Sequence, residues 1–336
     1  MPSTTRPPRE DIMTAEPRET PDVVTLGETM VLLRAPHIGP LRHARTLDVA
    51  TGGAESNLAI GITRLGGRAA WIGRVGDDEF GRLVLTVLGG EGLDTRAAVV
   101  DPEAPTGLMV KARRTSAATD VRYYRAGSAG SRLCPDDVNP ALVRSARILH
   151  ITGITPALSP TARAAVRAAV AEANAAGVPV SLDLNYRRAL WSAEDAAGEL
   201  RALAGHADIL FATEDEARLV LKVPDHTPFV DLARELAALG PAQVLLKRGA
   251  RGAVAIVDGR PHEVPPHRVH AVDPVGAGDA FAAGYLAELV RGGSVATRLA
   301  TAAAAGAFAV TVPGDWEGLP RRDELRLLAQ DDAVIR

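Results

Sequence analysis

From residue 22 onward, short apolar runs rich in β-branched residues alternate with Ala-rich stretches of helical character. Val23 to Leu26 is followed by Ala54 to Leu65, Ala70 to Gly73 and Glu79 to Leu88. After residue 145 the rhythm resumes with Ile148 to Ile151, Thr161 to Ala176, Val178 to Leu184, Ile209 to Ala212, Phe229 to Leu239 and Val244 to Lys247. Strand, helix, strand in that order is the pattern of parallel pairing, because a parallel neighbour needs a long crossover that a helix supplies. The chain is therefore predicted to be an α/β three-layer sandwich with a mostly parallel central sheet. Ligands of such sheets gather at the carboxyl ends of the strands. With 46% hydrophobic residues in a length of 336, there is enough apolar surface to close both faces.

Two segments break the rhythm. Residues 29–50 and 97–126 lack helical periodicity, and Val121 to Arg125 reads as a strand with polar and aromatic groups on both faces. They are predicted to form a small β lid over the sheet. Residues 1–21 carry five prolines and seven charged residues with no apolar run, so they read as a disordered tail rather than a secretory signal, and the folded unit is placed at 22–330. Lys plus Arg number 38 against 41 Asp plus Glu, a net charge of −3 that gives no field to gather nucleic acid or anionic lipid. A small-molecule partner follows. Cys134 is the single cysteine, which excludes an internal disulfide and a multi-cysteine metal site and suits a reducing, cytoplasmic setting. Leu299 to Val312 is too short and too interrupted for a membrane span. The eight histidines show no ligand spacing, and His150, His262, His267 and His270 are read as structural.

The motif that carries most chemistry is Asp273-Pro-Val-Gly-Ala-Gly-Asp279, which opens the apolar helical stretch Ala280 to Leu289. Small residues Gly276, Ala277 and Gly278 let backbone N–H groups at a helix start approach a phosphoryl group, forming an anion hole. Phosphoryl transfer asks for positioning, charge neutralisation and a carboxylate to take the proton of the attacking hydroxyl, and Asp279 stands where that base is needed. An ordinary Gly-rich loop, with Asp279 as a plain first-turn residue, accounts for the bare pattern equally well.

A second glycine pair lies far upstream in Gly52-Gly53-Ala54-Glu55-Ser56-Asn57, again leading into a helix. With both signatures in this order, and with Gly73-Arg-Val-Gly-Asp-Asp-Glu-Phe-Gly81 between them, the chain resembles the ribokinase-like, or phosphofructokinase B, family of carbohydrate kinases over roughly residues 22–325. Further stretches resemble its 2-keto-3-deoxygluconate kinase branch: Tyr123 to Ser131, His150 to Ser159, Ser181 to Arg187 and Lys247 to Gly252. That likeness implies ATP and Mg2+ as cofactors and a six-carbon 3-deoxy-2-keto sugar acid phosphorylated at a terminal hydroxyl. A homo-oligomer is implied by the likeness alone. Fructokinase, ribokinase, the galactonate epimer and a catalytically inactive sugar-acid sensor are the competing readings; a dinucleotide-binding dehydrogenase is disfavoured because no GxGxxG follows the first strand.

The resemblance assigns residues as follows. Gly53, Ala54, Glu55, Ser56 and Asn57 meet the sugar. In an extended strand Tyr123 and Arg125 share one face, a phenol and a guanidinium suited to a sugar acid, although a lid strand could carry them for packing alone. The same alternation would set Asp183, Asn185 and Arg187 on one side, with Arg187 at the sugar acid and Asn185 near the nucleotide phosphates; a buried salt bridge closing the strand is the other reading. Thr213, Lys247, Gly249, Ala250 and Gly252 border the nucleotide, while a β-hairpin into Ala253 explains the last glycines too. Glu216 reaches magnesium through water, with an acidic first helical turn as the alternative. Asp315, in Gly314-Asp315-Trp-Glu-Gly318, reaches a substrate hydroxyl unless this is a surface turn. Met109 stands in the lid where some relatives have Tyr, and Ala303 near the adenine where some have Asn.

Overall fold

The computed structural model describes residues 20–115 and 119–329, so the tail predicted over 1–21 lies outside the described residues but for its last two. The first half holds strands β1 (Val23–Leu26), β2 (Met30–Arg34), β3 (Asp48–Gly52), β4 (Ala69–Ile72), β5 (Arg74–Gly76), β6 (Val99–Asp101), β7 (Leu108–Arg113) and β8 (Thr119–Tyr124). The second half adds β9 (Ile148–Thr152), β10 (Val180–Asp183), β11 (Ile209–Thr213), β12 (Gln243–Lys247), β13 (Ala253–Val257) and β14 (Arg260–Val264). Helices α1 (Ala54–Arg64), α2 (Glu79–Gly90), α3 (Pro140–Ser145), α4 (Thr155–Leu158) and α5 (Pro160–Ala176) precede α6 (Ala193–Ala204), α7 (Glu214–Leu221), α8 (Phe229–Ala237), α9 (Ala277–Val290) and α10 (Val295–Ala309).

Eight strands form the main sheet in the order β14-β13-β12-β11-β10-β9-β1-β4. All neighbours from β4 to β12 pair in parallel, and β13 and β14 add an antiparallel edge. Alternation along each strand divides the core. Val24, Leu149, Leu210 and Val254 point into one apolar cluster with α5, α6 and α8. Val23, Ile148, Phe211 and Ala255 point into the other, with α1, α9 and α10. The three layers predicted from the βαβ rhythm are these. No helix among the described residues is long and apolar enough to cross a membrane.

Helix ends follow local chemistry. Pro160 opens α5 behind Ser159, whose hydroxyl accepts from the Ala162 N–H, and Gly177 closes it at φ 69°. By contrast α9 is apolar on nearly every side, with Glu288 paired to Arg322, and buried from Ala280 to Val290 apart from Leu289. It therefore packs as a central core helix, between α1 and α10.

A second sheet of four strands, β3-β2-β7-β8, stands over the carboxyl edge of the first. It is built from the two segments that break the helical rhythm. Residues 97–126 do not form it entirely: β6 pairs with β5 in a separate ribbon, fastened by the Arg74 guanidinium at 3.0 Å from both Asp101 and Asp137. The alternation of charged residues across 97–126 carries no sign of that split.

Candidate active site

A cavity of about 880 Å3 runs along the carboxyl edge of the main sheet, from the small sheet at one end to α10 at the other. At its centre is the start of α9. Gly276 caps the helix at φ 78°, and a Cβ there would strike the carbonyl of Asp315. Only glycine takes this conformation without strain and lets the two loops touch. The first-turn N–H groups that follow, at Ala277, Gly278 and Asp279, have no acceptor within the helix, and all three residues line the cavity. A Cβ on Gly278 would lie 3.3 Å from the Lys247 ammonium, so the helix tip and a cation share one wall.

Asp279 faces the same space. Asn57 Nδ2 donates to its Oδ2 at 2.9 Å, across 222 residues of sequence. Burial, reinforced by the charge of Asp183, pushes its carboxyl up to about 7; the Asn57 hydrogen bond, Arg187 and Lys247 pull the other way. A carboxyl poised there exchanges a proton near neutrality, which is what a general base requires. Lys247 Nζ sits 2.5 Å from Asp183 Oδ2. Burial pulls that ammonium down, but Asp183, Glu216 and Asp279 outweigh it and hold it above the ordinary lysine range. Lys247 is thus a fixed cation beside the helix tip.

At the small-sheet end, Tyr123 and Arg125 both line the cavity, on the face that alternation predicts. The Arg125 fork is partly taken: Nε and Nη2 lie 2.7 and 2.5 Å from Glu28 Oε2, and Ser128 Oγ donates to Glu28 Oε1 at 2.5 Å. One edge of the guanidinium is left for a ligand. Gly53, Ala54, Glu55 and Asn57 line the wall, whereas Ser56 does not: its buried hydroxyl turns back to the Gly53 carbonyl at 3.1 Å. Glu55 is buried beside Gly27 and accepts from Thr152 and Thr155 at 2.7 and 2.6 Å; burial raises its pKa against those two bonds. Asp315 lines the cavity and lies 3.2 Å from Lys111 Nζ. Met109 lines it as well.

The alternation predicted for Asp183, Asn185 and Arg187 fails at its first member. The strand β10 ends at Asp183, and Asn185 takes φ 39°, so Asp183 turns under the floor to Lys247 while Asn185 and Arg187 line the cavity. At the nucleotide-side wall lie Thr213, Glu216, Lys247, Gly249, Ala250, Gly252, Ala303 and His267. His267, read from sequence as structural, is an exposed part of that wall. His150 is structural as expected: buried, with Nδ1 3.0 Å from Ser181 Oγ and its pKa lowered to about 4 by burial. The hairpin reading of residues 247–253 is also right, since β12 pairs antiparallel with β13 through a tight turn at Gly249–Arg251.

Glu216 forms a capping box with Thr213: its Oε2 accepts from the Thr213 N–H at 2.8 Å, and its Oε1 accepts from the Tyr186 N–H at 2.9 Å. Glu216 still lines the cavity. Among the described residues no group of three or more His, Cys, Asp or Glu could hold a metal ion. A divalent ion carried by phosphate oxygens and water, with Glu216 reaching it through one water, fits this donor set.

Sequence reasoning passed over Glu28 and Lys111. Glu28 had a local signal, an acidic residue directly after the first strand, at the edge where ligands collect. Lys111 had none, because its partners Asp273 and Asp315 lie more than 160 residues away.

The profile of the pfkB family carbohydrate kinases matches residues 20–322. The chain is 39% identical over 304 residues to the 2-dehydro-3-deoxygluconokinase of Thermoproteus tenax, covering 89% of this chain and 91% of that one. It is 36% identical over 317 residues to the 2-dehydro-3-deoxygalactonokinase of Haloferax volcanii, covering 94% and 99%. A crystal structure from E. coli described as a ribokinase II, in complex with ATP and Mg2+, superposes with a TM-score of 0.85 at 28% identity and covers 93% of this chain and all of its own.

Proposed function

The chain belongs to the pfkB family of carbohydrate kinases, and from that premise we propose that it transfers the γ-phosphoryl group of ATP to a terminal hydroxyl of 2-keto-3-deoxygluconate. The observation that carries the reading is the join at the start of α9, where a carboxyl balanced near neutrality, unpaired helix N–H groups and the Lys247 cation meet in one cavity. Asp279 takes the proton of the sugar hydroxyl as the new P–O bond forms. The N–H groups of Ala277 to Asp279 and the Lys247 ammonium stabilise the charge on the transferring group. Asn57 orients the base. Arg125 and Arg187 hold the carboxylate end of the sugar, and Asp315 accepts from one of its hydroxyls. Thr213, Asn185 and the 249–252 turn border the nucleotide. When bound, magnesium neutralises the phosphate oxygens and aligns them for in-line transfer.

The galactonate epimer is a second substrate reading, supported by the Haloferax volcanii relative. A coupled ADP-release assay with ATP, Mg2+ and each of 2-keto-3-deoxygluconate, 2-keto-3-deoxygalactonate and fructose tests both. The expected order is sugar acids well above fructose. Equal or greater turnover of fructose would overturn the sugar-acid assignment.

A further inference from the structure

Lys111 lies on β7, two-thirds of the way along the small sheet's inner strand, and its side chain is 2% exposed. A lysine is almost never buried unless its charge is met. Here it is met twice: Nζ stands 2.6 Å from Asp273 Oδ2 and 3.2 Å from Asp315 Oδ1. The two carboxylates belong to the two loops that frame the transfer point. Asp273 opens the loop into α9, where its Oδ1 accepts from the Val275 N–H at 3.3 Å and its Oδ2 from the Gly314 N–H at 3.2 Å. Asp315 follows Gly314, backs onto Gly276, and turns its other oxygen toward Gly52, a cavity-wall residue. One ammonium therefore joins β7 to both loops. Neither Asp273 nor Lys111 lines the cavity, whereas Asp315 does.

We propose that Lys111 is a positioning residue for the sugar: clamped between Asp273 and Asp315, its ammonium holds the Asp315 carboxylate with one oxygen turned to the cavity and fixes the small sheet to the transfer loop. The proposal rests on the reading that Asp315 meets a sugar hydroxyl. Burial raises the pKa of Asp315, Asp273 and Glu317 add to that, and Lys111 is the group that opposes it. The other charged groups around this loop, Arg34 and Arg64, reach backbone carbonyls at Pro313 and at Trp316 to Leu319. Without Lys111, the Asp315 carboxyl takes up a proton more readily and loses the contact that aims it.

The test compares Lys111→Met, the double variant Lys111→Met/Asp273→Asn and Asp315→Asn with the unaltered enzyme, measuring KM for sugar and for ATP and the calorimetric Kd for sugar from pH 6 to 8.5. The double variant removes, along with the ammonium, the charge of the buried Asp273 carboxylate that would lose its ion-pair partner, so it keeps the test alive if the single variant fails to fold. Both Lys111 variants are expected to raise the sugar KM and Kd by about 10-fold or more while the ATP KM stays within about twofold. Their sugar affinity should depend on pH more steeply than that of the unaltered enzyme, improving as pH rises and Asp315 ionises. A purely structural role would lower thermal stability without making sugar affinity depend more steeply on pH. Unchanged sugar affinity in the double variant at every pH, with Asp315→Asn impaired, overturns the role of Lys111 alone. Unchanged sugar affinity in Asp315→Asn as well overturns the contact between Asp315 and the sugar on which the proposal stands.

Discussion

At the scale of single residues, the balance of charge around Asp279 decides both rate and stability. Its folded pKa of about 7 means that kcat/KM should climb with pH through neutrality and level off above it. Asn57 favours the ionised form by donating to Oδ2. Asn57→Ala should therefore shift the acid limb to higher pH, read from kcat/KM at subsaturating sugar between pH 5.5 and 9; an unmoved limb would exclude Asp279 as the group titrating there. Replacing the base itself has two consequences. Asp279→Asn should lower kcat by about 10²- to 10⁴-fold with the ATP Kd nearly unchanged. It should also stabilise the fold. A carboxyl whose folded pKa lies above its unfolded value contributes stability that is present below about 4 and lost as pH rises through about 7. The variant lacks that loss, so its Tm should exceed that of the unaltered enzyme at pH 8 by a margin that shrinks toward pH 4 in thermal scans. A lower Tm at pH 8 would show that the ionised carboxylate is not a strained group.

At the scale of elements, the site depends on where α9 begins. The helix is buried along almost its whole length, so its tip is a rigid platform, and Gly276 is the point where that platform touches the 314–318 loop. Gly276→Ala forces a side chain into left-handed backbone, at about 1–2 kcal/mol, and into the Asp315 carbonyl besides. The expected result is a lower Tm together with a fall in kcat larger than any rise in the ATP KM. An unaltered kcat would mean that the transfer point does not use this helix tip. The start of α9 was legible in the sequence because glycines before an apolar helix are a local signal with one physical meaning. Strand alternation made Tyr123 and Arg125 legible for the same reason. It misled at Asp183, which turns to Lys247 and not into the cavity: a strand that ends two residues early, with Asn185 at φ 39°, breaks the period, and nothing local announced the end. It also gave no warning that Glu28 already occupies part of the Arg125 fork. Ser56 was placed at the sugar by its neighbours, although one residue of rotation on α1 turns it back toward Gly53. Lys111 was hidden altogether, because its meaning lies in two carboxylates that only the folded chain brings within reach.

At the scale of the whole molecule, the cavity lies between two sheets, and three of the polar ties between them lie beside the sugar end. Arg125 with Glu28, Lys111 with Asp273 and Asp315, and the Trp316 indole N–H donating to the Thr51 carbonyl at 3.0 Å fasten the small sheet to the body. The sugar end is thus assembled from both sheets, while the nucleotide wall comes from the main body. This division predicts that selection for an acid should be separable from the capacity to transfer phosphate. Arg125 is held between the Glu28 carboxylate and the Tyr123 ring, 5.7 Å from the ring centroid, and Arg187 is exposed at the opposite wall. Truncating one partner of a desolvated charge pair costs about 2–5 kcal/mol, a factor of roughly 30 to several thousand. Arg125 sits in that regime, and Arg187, nearer solvent, is screened and should cost less. Arg125→Gln should therefore lower kcat/KM for 2-keto-3-deoxygluconate by about 10²-fold and Arg187→Gln by about 10-fold, each with a smaller loss on fructose. The ratio of kcat/KM between the acid and the neutral sugar is the quantity to measure, because a general loss of activity cancels from it. A ratio that stays constant in both variants would mean that the two guanidinium groups do not read the acid, and that the small sheet covers the sugar without selecting it.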